Sequence, residues 1–82
     1  MSESIPVEAR FEPDGSLRPL AFEWQEKRYQ VESQGRQWEE NRIQHFLVMV
    51  SGDQVFELAY FLDMNQWQVI RSPIDFQPTN RI

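Results

Sequence analysis

At 82 residues the chain has the size of one domain, and its formal charge of −5, from thirteen acidic and eight basic residues, opposes broad attraction to phosphate backbones or anionic membranes. A hydrophobic content of 40% and an aromatic content of 13%, with three Trp and six Phe, exclude a disordered chain. The absence of Cys removes disulfides, thiolate metal sites and a cysteine nucleophile.

A domain this short buries only about 60% of the surface its unfolded chain exposes, so modest stability is expected. No window approaches the roughly 20 apolar residues that cross a bilayer. The opening MSESIPVEAR carries acid where a signal peptide carries base. These features predict a cytoplasmic protein with no membrane partner.

Residues 1–4 are polar and expected to fray. Over residues 5–11, Ile5, Val7, Ala9 and Phe11 alternate with Pro6, Glu8 and Arg10, which is strand periodicity, and Pro6 points to a sheet edge. Glu12-Pro13-Asp14-Gly15-Ser16 reads as a turn, with Pro13 presetting its φ and Gly15 able to take a positive one. A second strand is predicted over residues 19–24, where Leu20, Phe22 and Trp24 alternate with Ala21 and Glu23. A third carries Tyr29, Val31 and Ser33 against Arg28, Gln30 and Glu32. Gln25-Glu26-Lys27 links the two as an antiparallel hairpin.

Residues 33–42, SQGRQWEENR, break the alternation. They read as a loop with Trp38 turned inward as a plug, or with one helical turn through residues 37–41. Residues 43–62 then form the stretch around which the chain is organised: two apolar segments joined at Gly52 and Asp53. In the first, Ile43, His45, Leu47 and Met49 face one way and Phe46, Val48 and Val50 the other. In the second, Phe56, Leu58, Tyr60 and Leu62 oppose Val55, Glu57, Ala59 and Phe61. A hairpin apolar on both faces belongs at the centre of a closed or strongly coiled sheet, or has one face covered by another subunit.

Asp63-Met64-Asn65 makes the next turn, and residues 66–71 give a last strand with Trp67 and Val69 alternating against Gln68 and Ile70. Pro73 ends it, and the remainder reads as irregular, tied down by Ile74, Phe76 and Ile82, with residues 77–82 frayed. The expected fold is a single all-β domain over residues 1–82: an antiparallel meander of five to six strands forming a small barrel or strongly bent sheet.

Catalytic chemistry is poorly provided for. His45 is the only histidine, and catalysis there would draw on Glu57 across the same hairpin, but a half-buried ring hydrogen-bonded to a cross-strand partner is the expected arrangement. One His and one Glu fall short of a zinc site. Glu39, Glu40, Asp53, Asp63 and Asp75 fall in predicted loops or at strand ends, where acid serves solubility. Three scattered glycines cannot cradle a phosphate, and no G-x-S-x-G, H-E-x-x-H or C-x-x-C motif occurs. No enzyme activity, metal or cofactor is predicted.

The aromatics leave two readings. Trp24, Tyr29 and Trp38 with Arg28, Arg36 and Arg42 could stack bases and meet phosphates on a small barrel. The same residues describe a core edged by arginine stems, which the acidic charge favours. The leading expectation is therefore a non-enzymatic interaction or accessory module, self-associating as a homodimer or covering its apolar face with a protein partner. The alternative is a nucleic-acid-binding module.

Phe22-x-Trp24, Tyr29-x-Val31, Trp38, Phe46-x-Val48, Gly52 with Val55-Phe56-Glu57-Leu58, and Trp67-x-Val69 together resemble a family of small bacterial all-β domains. Members occur alone or at the C-terminus of Y-family DNA-polymerase-like proteins. The resemblance spans residues 19–70 and implies an accessory domain linked to DNA-repair assemblies. This chain is acidic where that family is arginine-rich, which argues against direct nucleic-acid contact, and the resemblance assigns no functional residue.

Overall fold

The computed structural model describes residues 4–76, and over that span the backbone is all-β apart from one helical turn. Its strands are β1 (Val7–Phe11), β2 (Leu17–Trp24), β3 (Lys27–Gln30), β4 (Ser33–Glu40), β5 (Ile43–Val50), β6 (Gln54–Phe61) and β7 (Gln66–Arg71), followed by α1 (Pro73–Phe76). They make two antiparallel sheets, one in the order β1-β2-β3 and one in the order β4-β5-β6-β7.

The meander is as expected, but the barrel is not closed, and seven strands replace the five or six predicted. Closure would need β3 and β4 side by side, yet no turn folds one back on the other. Instead the chain changes sheets between two successive residues: Val31 N–H donates to Leu20 O at 2.9 Å in the first sheet, and Glu32 N–H to Met49 O at 2.8 Å in the second. At the opposite seam, among the described residues, the backbones of the two sheets are joined by one bridge, Ile5 to Trp67.

The segment predicted as a loop over residues 33–42 is the edge strand β4 and its turn. Its polar side chains hide the strand, and so does a bulge between Gln34 and Gln37 that interrupts the period of two. Residues 73–76, predicted as irregular, form a helical turn with a local cause. Pro73 occupies the first helical position, and Asp75 accepts the Ser72 N–H at 2.7 Å, half of a capping box. The expectations for residues 1–3 and 77–82, Ile82 included, lie outside the described residues.

Two hairpins turn through paired left-handed residues that are not glycine: Gln25 and Glu26 (φ 52° and 64°), and Asn41 and Arg42 (φ 56° and 62°). This is the geometry that matches the right-handed twist of the flanking strands. The central hairpin pairs without interruption from Ile43 opposite Phe61 to Val50 opposite Gln54.

Phe46, Val48, Val50, Phe56 and Leu58 fill the space between the sheets, with Leu17 and Phe22 closing it from the other side. Phe56 is the hub. Its ring meets Phe22 edge-on at 4.9 Å and Trp24 edge-on at 5.2 Å, and lies 5.0 Å from Tyr29. Aromatic pairs of this kind add about 0.5–1.5 kcal/mol each beyond their burial.

Candidate functional site

The period of two that sends Phe46, Val48, Phe56 and Leu58 inward places His45, Leu47, Met49, Val55, Glu57 and Ala59 on the outer face of the four-stranded sheet. That face is apolar at Leu47, Met49 and Val55, carries Glu40, Gln66 and Gln68 toward its Ile43–Phe61 end, and is crossed between them by one row.

At the centre of the row, His45 Nδ1 lies 2.8 Å from Glu57 Oε2. A carboxylate oxygen accepts, so Nδ1 is the donor, and among the described residues Nε2 has no hydrogen-bond partner. The other oxygen, Oε1, accepts from Arg71 Nε at 2.7 Å. Glu57 is only 4% exposed, so this is a buried carboxylate held by two donors, as burial of a charge requires.

The row continues in both directions. The Trp38 indole lies parallel to the His45 imidazole, with centroids 4.9 Å apart and planes 1° apart, and the Arg36 guanidinium sits 5.1 Å from the indole. At the far end the Arg71 guanidinium covers the Phe76 ring at 4.4 Å. Arg36, Trp38, His45, Glu57, Arg71 and Phe76 thus join β4, β5, β6, β7 and α1 in one continuous array.

Two bulges build this array. In β4, Gly35 and Arg36 together occupy the place opposite Leu47, because Gln34 pairs with Val48 and Gln37 with Phe46. Regular alternation would put Trp38 on the same face as Gln34, toward the core; the extra residue brings it out beside His45. In β7, Leu58 pairs with Val69 but Glu57 pairs with Arg71, leaving Ile70 as the extra residue. Without it, Arg71 would follow Trp67 and Val69 inward. Bulges commonly re-aim a side chain in this way.

The expectation that Trp38 plugs the core is therefore corrected: it lies half-buried on the outer face. Trp24 and Tyr29 belong to the core cluster around Phe56, with Lys27 Nζ 5.4 Å above the Tyr29 ring. Arg28 pairs with Glu8 at 2.8 Å and Arg42 with Asp63 at 2.7 Å, both on the surface. Of the six candidate binding residues, Arg36 and Trp38 are brought together on the outer face and Trp24 and Tyr29 in the core, their ring centroids 6.5 Å apart. The predicted His45–Glu57 pair is present. Arg71 and Phe76 were not among those candidates, Phe76 being expected only to tie down the tail, although the S-P-I-D capping pattern and the cost of an inward-facing Arg71 both pointed to the pair.

Beside the row, Gly35, Leu47, Met49 and Val55 line a shallow apolar groove. Both oxygens of Glu57 are engaged, and the His45 ring that one of them holds stacks on Trp38. Among the described residues no three His, Asp or Glu side chains converge to hold a metal, and no helix is long and apolar enough to cross a membrane. No protein-family model, curated protein or solved structure matches the chain.

Proposed function

We propose that the protein is a non-enzymatic interaction module that binds protein through its four-stranded sheet and self-associates there. The observation that carries this reading is the outer face itself. Leu47, Met49 and Val55 present apolar surface on the sheet, and among the described residues the charged groups at its centre, Glu57 and Arg71, already neutralise each other. A face of that composition is suited to a protein partner.

The distribution of arginines supports this reading over nucleic-acid binding. Arg10, Arg18, Arg28, Arg42 and Arg71 each lie within 4 Å of a carboxylate, and the acidic net charge opposes a polyanion. The accessory role implied by the family resemblance fits an interaction module equally well, with the polymerase-like protein as partner.

Sedimentation equilibrium from micromolar to millimolar protein tests the proposal. The expected result is an average mass that rises toward that of a dimer; monomer mass throughout overturns it. Titration of tryptophan fluorescence with a single-stranded oligonucleotide tests the other reading. No quenching is expected, and salt-sensitive quenching would reverse the preference.

A further inference from the structure

We infer that the second copy docks on the free edge of β4, antiparallel, with Trp38 on the two-fold axis, so that two four-stranded sheets become one of eight strands. The inference rests on the self-association proposed above and names its geometry.

Among the described residues β4 lies at the end of its sheet and pairs only with β5, so one row of its backbone groups has no strand partner there. Such an edge is a template for another strand unless something blocks it. Here the bulge is confined to Gly35 and Arg36, while residues 37–40 pair regularly with β5 and are uninterrupted by proline.

Charge selects the register. Among the described residues, Arg36 is the one arginine with no carboxylate within 4 Å, and Glu40 likewise has no cation within that distance. Both are exposed. Arg36 lies two positions before Trp38 and Glu40 two positions after it. Glu40 pairs with Ile43 and Trp38 with His45, which puts both on the outer face, and the Arg36 guanidinium joins them there by stacking on the indole.

A two-fold axis through Trp38, perpendicular to the sheet, therefore sets Trp38 against Trp38 of the second copy and Arg36 against Glu40 of the second copy, twice over. Gln37 then faces Glu39. Cross-strand aromatic and opposite-charge pairs are the combinations that stabilise antiparallel neighbours. This register is isologous, so it closes as a dimer and does not propagate into a fibre.

A charge-swap cycle on the full chain tests it, with mass read by sedimentation and folding by far-ultraviolet circular dichroism. Arg36→Glu and Glu40→Arg should each raise the dimer dissociation constant roughly tenfold or more, since each turns two attractive pairs into two repulsive ones. The double variant should return it to within about threefold of the parent. Glu26→Lys, a charge reversal in the exposed turn between β2 and β3 on the other sheet, should leave the dimer intact. Folded single variants that dimerise like the parent, or a double variant that stays weak, overturn the β4 register. If the dimer ignores the charges but is lost in Leu47→Asp, on the outer face away from the edge, self-association stands and the edge assignment falls. A parent chain that is monomeric at every concentration removes both.

Discussion

Arg71 stands directly opposite Glu57 across the β6–β7 ladder because Ile70 has no opposing residue of its own. The ion pair so formed, 2.7 Å from Nε to Oε1, joins an arginine side chain 46% exposed to a carboxylate side chain only 6% exposed. Removing the arginine leaves a buried carboxylate with His45 as its one remaining side-chain donor, whereas removing both groups leaves no buried charge. Arg71→Met should therefore cost about 2 kcal/mol, below the figure for a fully buried pair because half of the guanidinium is in water. Adding Glu57→Leu should recover part of that loss. Urea unfolding of the two variants decides: equal or greater destabilisation in the double variant would show that the carboxylate is not stranded.

Phe56 is fully buried and touches three rings of the opposite sheet. Phe56→Ala should cost about 3–5 kcal/mol, a large share of the roughly 5–15 kcal/mol that holds an ordinary domain together. Phe11, 73% exposed at the end of β1, offers the contrast: Phe11→Ala should change stability by less than about 0.5 kcal/mol. Denaturant midpoints for the pair measure how far the core is concentrated at the hub.

The Gln25-Glu26 turn holds two side chains in the left-handed region, where Asn and Gly sit with less strain. Replacing them together, Gln25→Asn with Glu26→Gly, should stabilise the fold by about 1 kcal/mol. A fall in melting temperature would mean that those side chains make contacts worth more than the backbone strain.

Asp14 accepts hydrogen bonds from the Ser16 backbone N–H at 2.9 Å and from its hydroxyl at 2.7 Å, and these hold its carboxyl below the ordinary value of 3.8. With the folded value depressed, the carboxylate's contribution is complete above the ordinary value and is lost as pH falls through the folded one. The melting temperature of Asp14→Ala should thus lie below that of the parent at neutral pH, with the gap closing in strong acid. A gap independent of pH would assign the turn's stability to Gly15 and the backbone alone.

The central hairpin was legible because its apolar period of two persists through sixteen paired residues and its turn carries Gly52 and Asp53. The His45–Glu57 contact followed from the same alternation. β4 was not legible: it is an edge strand whose exposed positions need no apolar residues, and its bulge shifts Trp38 to the opposite face from the one that alternation assigns. Arg71 escaped for the same reason. Both hidden members of the row depend on one extra residue in a strand, and composition does not announce such a residue. The open sandwich was also beyond reach, since strand patterns are alike in a barrel and in two sheets joined by a straight crossing.

That crossing governs how the molecule can respond to a partner. Because the amides of Val31 and Glu32 are bonded into different sheets, and Ile5 fastens the opposite seam to Trp67, the layers cannot slide or gape without breaking main-chain bonds at one border or the other. Adjustment to a partner of the kind proposed would be left to side chains such as Met49 and Arg36, and that partner would meet a surface whose shape was settled when the chain folded.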